Sequence, residues 1–566
     1  MNALRCLIAG ALLLAAGAVW PQRGTLGEAA DPPAGAGASA PHLYSDGQRV
    51  TAVWVEPAAD GKAKGRRVRI ARYDGRRWSL PETVYEGTRI LANWADTPRV
   101  LVHGGRSYVT FPELGGGRGY ALRLAISKPG GGGFRMAPSL HPTLQDAEFG
   151  FPSLLPAGEG VQVFWLDGRA LLRADGAMML RRASIPRPDA SRIAAREILD
   201  QRTCECCATD AVLTSEGPLV VYRDRDAAEI RNIAFLWGAG DDARRGTVHA
   251  DGWRVPGCPV NGPAVDAGAG EAVVAWFTMA EGAPVVRAAF GTQEEGFERP
   301  VEIDAESKSH APIGRVDVVW LGQGEAIVSW LDNAGAAAAI RLRRVGRNGR
   351  LGRTVTVSRT ERSRAAGFPR IARQGDALLV VYTKPNGSGL AGRRIPLLEI
   401  PALGGDEQAR RPPLERASKS DRNLPTWTLP ALDGGKVELA PGTPVLVNLW
   451  ATWCQPCLAE MPHLAALARR FPGVRFVGIS VDDESALADV KEVVRKRGLR
   501  YEVALDGHGE SFRVFGVEFV PATFVFDRKG RRVFARIGPI ERDDPDLVRV
   551  LERLTGGGDR PPLPSP

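Results

Sequence analysis

The sequence predicts a multidomain chain: an all-β propeller of seven blades, with six as the alternative, followed by a smaller α/β domain. Two observations predict the propeller. An apolar run ending in an aromatic residue recurs at Trp54, Phe111, Trp165, Tyr222, Trp276, Trp330 and Tyr382, with successive spacings of 57, 54, 57, 54, 54 and 52. A near-constant period holding several short strands is the mark of radial β repeats. Gly contributes 66 and Pro 42 of the 566 residues, about a fifth against a usual ~12%, which suits many strands joined by tight turns. A third observation predicts the α/β domain. Beyond residue 440 a buried strand runs into Cys-x-x-Cys and then into an amphipathic helix.

Composition excludes other classes. Hydrophobic residues make up 44% and charged residues 25%, ordinary for a globular protein and unlike a polytopic membrane protein or a disordered one. The net charge is +9. The basic residues are nearly all Arg, scattered among 65 acids without a long run of one sign. A nucleic-acid partner is not expected from that distribution.

Residues 1–20 read as an export signal. Met1–Arg5 carries one positive charge, and Leu7–Val19 is an apolar run ending in small residues. That is short for a membrane span and right for a signal peptide. A periplasmic or cell-envelope location follows, with an uncleaved anchor as the alternative. Cleavage would remove Cys6 and leave six cysteines in an oxidising compartment. Residues 21–41 read as a flexible lead-in.

Residues 42–400 are the repeat array. In a propeller, the loop leading into each innermost strand and the loop between second and third strands open on one face. The repeat register puts Asn93, Asp96, Glu148, Cys204, Cys206, Cys207, Cys258, Asn261 and His310 in the first kind of loop, with Arg223, Asp224 and Arg231 in the second. Binding residues concentrate on loops presented by a rigid scaffold. Cys204, Cys206, Cys207 and Cys258 fall in equivalent loops of adjacent blades and are expected to meet. Three readings stand: structural disulfides, a thiolate site for a soft metal ion, or a redox-labile pair exchanging with the chain's own dithiol. The segments NWAD (93–96), CECC (204–207), YRD (222–224), EIRN (229–232), DGW (251–253) and CPVNGP (258–263) resemble exported sialidase-fold propeller proteins of undefined activity. The resemblance implies fold more firmly than chemistry, with a glycan or metal ligand on this face as one implied function. Phe368-Pro369-Arg370-Ile371 only scrambles the motif expected of a true sialidase.

Residues 401–423 are polar and rich in Pro and charge, and read as a mobile linker. Residues 424–556 read as a thioredoxin fold and 557–566 as a disordered tail. The strand Val445–Trp450 leads into Trp453-Cys454-Gln455-Pro456-Cys457. Cys454 is expected at a helix N-terminus, where unpaired N–H groups and the helix dipole favour thiolate. Cys457, one turn on, is placed to resolve a mixed disulfide. Pro456 starts the helix without wasting a donor. Val520-Pro521 precedes the strand Ala522–Phe526, and a cis peptide is expected there.

The segments 424–439, 447–462 and 515–530 resemble the TlpA/ResA/DsbE family of exported thioredoxin-like oxidoreductases. The resemblance implies a thiol–disulfide oxidoreductase acting as a reductant on a protein client and recharged by a membrane thiol donor. It implies no prosthetic group beyond the redox-active Cys454–Cys457 pair. It implies that Glu460 tunes the dithiol and moves protons, and that Pro521 packs against it. Val520 stands where many relatives carry Thr, which bears on substrate choice. The propeller is then expected to select the redox client. The alternatives are a metal- or glycan-binding propeller whose cysteines the thioredoxin domain keeps reduced, and a glycan-processing enzyme.

Overall fold

Each apolar run of the repeat forms the second strand of an antiparallel blade, four-stranded in six copies and five-stranded in the fifth, where Val301–Glu302 adds a short strand. The aromatic that ends it is buried in every copy, from Trp54 (0% exposed) to Tyr382 (7%). The side chains alternate across the strand, so a large ring recurs at the same depth in each blade. The computed structural model describes residues 26–556 except 59–64, 116–118, 143–145, 174–175, 190–192, 241–242, 256, 305–310, 335–336, 405–422, 453, 483–485, 508 and 518–519. The signal segment, most of the linker, the C-terminal tail, His310 and Trp453 therefore lie outside the described residues.

The described residues form seven blades. The first six run in sequence order, with innermost strands Ser39–Ser45, Arg99–His103, Phe149–Ala157, Asp210–Thr214, Ala264–Gly268 and Pro312–Gly322. The seventh is built from both ends of the array. Its inner three strands are Arg370–Gln374, Ala377–Thr383 and Leu390–Pro396, and its outer strand is Glu28–Ala29. Of the residues read as lead-in, Glu28–Ala29 therefore close the ring, and residues 39–41 already belong to the first blade. Ala30 N–H donates to Gly392 O at 2.9 Å, and Arg393 donates to the carbonyls of Leu26 and Gly27. A two-residue edge strand in a Gly/Ala-rich stretch leaves no periodic pattern, and its partner lies more than 360 residues away.

The blades are stapled to one another along the central channel. Asp210 accepts from Val265 N–H at 2.9 Å, Asp266 from Trp320 N–H at 2.7 Å, and Asp317 from Ile371 N–H at 2.9 Å. His42 plays the same part toward Val100 N–H, and Asp96 toward Phe151 N–H. Each staple satisfies a backbone donor that the seam between two sheets would otherwise strand. Asp96 is buried, and His42, Asp210, Asp266 and Asp317 are half-buried along the channel. Desolvation raises Asp266 to about 7 and Asp317 to about 6, and holds His42 well below the usual histidine range. The innermost strands enclose a cavity of about 520 Å³ that holds Arg99, Arg370, Asp210, Asp266 and Asp317.

The C-terminal unit is a five-stranded sheet in the order Glu502–Leu505, Arg475–Ser480, Val445–Trp450, Ala522–Phe526, Arg532–Ile537. The first three strands are parallel, Ala522–Phe526 runs antiparallel to them, and Arg532–Ile537 turns back antiparallel to Ala522–Phe526. Helix α1 (Gln455–Arg470) follows the central strand directly, and α2 (Leu487–Arg497) stops at Gly498, whose φ of 63° makes the left-handed C-cap. Two short elements complete the unit, α3 (Glu510–Phe515) and α4 (Pro545–Thr555). Leu464, Leu467, Leu547 and Leu551 pack with the sheet in one apolar cluster.

The seam staples predict a local cost. Asp266→Ala should lower the stability of the propeller by about 1–3 kcal/mol, the cost of stranding a buried donor. Urea denaturation of the full chain, followed through the propeller's transition, measures it, and an unchanged midpoint would show that the staple contributes nothing.

Candidate functional site

The central strand ends at Trp450 and the chain turns through Ala451 and Thr452 to Cys454, the N-cap of α1. The Cys454 sulfur accepts the N–H of Cys457 at 3.2 Å, and the two cysteines are joined as a disulfide. Pro456 lies in the first turn, as its missing donor requires. The side chain of Gln455 is not among those described. The peptide Val520–Pro521 is cis, and Val520 packs in one apolar cluster with Cys454 and Cys457. Neither cysteine has exposed surface.

Glu460 lies one turn beyond Cys457, on the same face of α1. Its carboxyl accepts Asn448 Nδ2 at 2.8 Å and Ile540 N–H at 2.5 Å. Burial outweighs both bonds and raises it to about 8, so a neutral acid stands beneath the dithiol at pH 7. A second buried acid escaped the sequence reading. Asp482 accepts from Thr452 N–H at 2.9 Å, from the Thr452 hydroxyl at 2.8 Å and from Ser480. It thereby holds the turn that delivers Cys454. Its only signal in the sequence is a polar residue at the carboxyl end of a buried strand, where α/β sheets gather functional groups.

The propeller brings its four cysteines together. The sulfur of Cys204 lies 3.2 Å from that of Cys207 and 3.8 Å from that of Cys206, and Cys206 hydrogen-bonds Cys258 as well. All four are buried thiols, so the two structural disulfides expected as one reading are not formed here. Cys204, Cys206 and Cys207 have sulfurs within 4.8 Å of one another and form the one trio among the described residues suited to a soft metal ion. Arg231 Nη1 sits 3.1 Å from the Cys204 sulfur. Hydrogen bonds from Cys206 and Cys207 and the charge of Arg231 outweigh burial and hold the Cys204 thiol well below its usual range. Burial pushes Cys206 and Cys207 up. Arg231 is paired in turn with Glu205 and Glu229.

Other residues expected on this face serve as structural staples. Arg223 is 1% exposed. It donates to the carbonyls of Asn261, Arg231 and Phe277 at 2.8–3.0 Å and lies 4.9 Å from the Trp253 ring. Asn261 bonds Pro259, Ile313 and Arg315. Asn93 caps its own turn through Ala95 N–H, and Asp96 is raised to about 7 by burial. Asp224 accepts from Arg225 N–H and is raised to about 6, chiefly by burial. Glu148 forms an isolated β-bridge with Tyr120.

The two candidate regions meet. Cys258 pairs with Val520 as an isolated antiparallel bridge, its N–H donating to the Val520 carbonyl at 3.2 Å. Arg364, from the loop before the seventh blade, lies 5.3 Å from the Phe512 ring of α3. A small cavity of about 70 Å³ between the folds is walled by Trp253, Val260 and Arg364 on one side and Val481, Gly509 and Phe512 on the other.

A family model of AhpC/TSA proteins matches residues 421–532. The thiol-disulfide oxidoreductase ResA of Bacillus thuringiensis subsp. konkukian is 31% identical over 145 residues, which are 25% of this chain and 82% of that protein. The chain belongs to the ResA family of thiol-disulfide oxidoreductases. The thiol:disulfide interchange protein DsbE of Haemophilus influenzae is 42% identical over 90 residues, 16% of this chain and 48% of that protein. A solved structure of a putative DsbE from Chlorobium tepidum shares 25% identity over 24% of this chain and 98% of its own, with a TM-score of 0.23. ResA-type chemistry is thus carried by the C-terminal unit, joined here to a seven-bladed propeller.

The neutral carboxyl gives a pH-dependent stability. With Glu460 raised from 4.5 to about 8, the folded state keeps a proton that the unfolded state releases. This contribution is complete below pH 4.5 and is lost as the pH rises toward 8. Glu460→Gln should therefore gain stability relative to wild type from pH 5 to pH 8, by up to ~1.4 kcal/mol per pH unit. Urea midpoints of the C-terminal transition in the full chain measure the difference, and parallel wild-type and variant profiles would contradict it.

Proposed function

We propose that this chain is an exported thiol–disulfide oxidoreductase that reduces protein disulfides, with the propeller presenting the client. One observation carries the reading: Cys454 caps α1 with its sulfur on the N–H of Cys457, one turn from a buried acid at Glu460. Cys454 is the attacking thiolate in this reading, since the helix terminus favours its charged form. Cys457 is the resolving thiol, Glu460 the acid that gives a proton to a released thiolate and in its ionised form takes one back, and Pro521 with Val520 the surface against which the client backbone lies. Two electrons leave the dithiol for each client disulfide opened, and a membrane thiol donor restores them. The apolar run Leu7–Val19 supports export to the periplasm or cell envelope. The names of the ResA and DsbE relatives support the reaction class.

A glycan-processing role is not adopted. The arginines of the propeller face are already engaged. Arg223 is spent on three carbonyls, Arg231 on two glutamates, and Arg315 on the carbonyls of Ser363 and Gly367. A carboxylate-binding triad would need such groups turned toward a ligand.

The test is turnover. Full-length protein with dithiothreitol as electron source should reduce the interchain disulfides of insulin. Cys454→Ser should bring the rate to the uncatalysed background, and Cys457→Ser should stop after one mixed disulfide per chain. Undiminished turnover by Cys454→Ser would remove the assignment.

A further inference from the structure

We propose that the propeller's cysteine cluster is the resident substrate of the dithiol, with Cys258 as the sulfur that Cys454 attacks. The inference rests on the reductase reading above and names its client as a disulfide within the same chain.

Three observations carry it. First, the backbone that a client would occupy is already occupied. An extended client segment presents its cysteine by pairing with the chain beside the dithiol, as strands add to an open edge. The residue paired with Val520 is itself a cysteine, Cys258. Directly opposite residues of an antiparallel pair hold their Cβ atoms about 5 Å apart on one side of the ladder, and Val520 packs with both Cys454 and Cys457.

Second, the loop bearing Cys258 already meets the fold that carries the dithiol. Cys454 caps α1 at the end of the sheet, and a loop hydrogen-bonded to Val520 needs no diffusional encounter to come near it.

Third, that loop is held in an unfavourable shape. Val260 has a φ of 47°, a conformation that a β-branched side chain rarely accepts. Arg223 and Asn261 hold the loop there through buried hydrogen bonds to Asn261, Pro259 and Ile313. Such strain gathers where a site must be presented in one geometry. Beside Cys258 stands Cys206, whose sulfur lies with those of Cys204 and Cys207 within 4.8 Å of one another, so an electron pair delivered to Cys258 has a route into the cluster.

The exchange balances within the chain. With Cys258 bonded to a sulfur of the cluster, the Cys454 thiolate attacks Cys258, forming Cys454–Cys258 and releasing the cluster sulfur as thiolate. Cys457 then loses its proton and attacks Cys454, forming Cys454–Cys457 and releasing Cys258. The dithiol is oxidised by two electrons and the cluster reduced by two, and the protons of the dithiol pass to the two released thiolates. An external thiol donor, dithiothreitol in the test, reduces Cys454–Cys457 again.

The experiment uses full-length Cys457→Ser protein. One equivalent of diamide, which takes two electrons and two protons from a thiol pair, oxidises the cluster. Acid quenching, alkylation and peptide mass mapping then locate the partner of Cys454. The expected result is an internal Cys454–Cys258 disulfide as the main Cys454 species, in a yield that does not change on dilution. In the double variant with Cys258→Ser the total of internal disulfides formed by Cys454 should fall by about 10-fold or more, as a reaction driven by proximity must. Three outcomes overturn the inference: Cys454 left free beside an oxidised cluster, Cys454 joined only to other chains, or a cluster that stays reduced. A variant with all four propeller cysteines changed to Ser, assayed on insulin, separates the two readings. If it turns over while no internal adduct forms in Cys457→Ser, the resident-substrate inference falls and the reductase stands. If neither reaction depends on Cys454, both fall. Should the Cys258→Ser protein fail to fold, the dilution series on Cys457→Ser alone decides.

Discussion

The guanidinium of Arg223 is the interaction on which the working face depends. It lies almost wholly out of water and gives hydrogen bonds to carbonyls of three separate segments: the loop after Cys258, the start of the strand Ile233–Trp237, and the end of the strand Glu271–Thr278. An arginine fork suits this because its donors diverge in one rigid plane. Removing it would leave three buried carbonyls unpaired at about 1–3 kcal/mol each and would free the loop that carries Cys258. The propeller's seam staples do the same work on a larger scale. Four innermost strands, through His42, Asp210, Asp266 and Asp317, and the loop residue Asp96 each offer a side chain to a backbone donor of the next blade, so the loops at one end of the channel inherit a fixed spacing. The cysteine cluster can be tight only because two adjacent blades are locked.

Against that rigid face sits a fold whose chemistry needs access. The sulfur of Cys454 gains from the helix terminus, and the acid beneath it is kept neutral by burial. A group shielded from water holds a perturbed proton affinity more easily than an open one. Among the described residues the two folds meet through a backbone hydrogen bond at Val520, a cation–ring contact at Phe512 and a narrow cavity.

Local chemistry was legible in the sequence and long-range closure was not. The aromatic period gave the blades because one ring per copy must fill the same place in each. Cys454, Pro456 and Cys457 were legible because their spacing is set by a single helical turn. The register also put the four propeller cysteines on one face, and they do meet. Closure by Glu28–Ala29 was hidden because a two-residue strand has no pattern. Arg223, Asn261 and Asn93 looked like ligand-binding residues because polar groups in loops do; in the fold their partners are backbone groups. Asp482 and Asn448 became visible only when the sheet set them beside Thr452 and Glu460. The pairing of Cys258 with Val520 joins residues of two separate folds, and no local pattern encodes it.

Covalent connection changes what such a weak contact can accomplish. A free reductase must meet each client by diffusion and hold it with an interface large enough to offset the lost freedom of two bodies. Here the linker has already met most of that cost. Linked modules act at effective concentrations in the millimolar range when the tether can span the sites. A tethered contact therefore needs less area than a free one to bring a client to the dithiol. The proposed exchange also needs the external donor to reach Cys454–Cys457 after each transfer, and the rigidity of the propeller face ensures that each turn presents the same sulfur, that of Cys258.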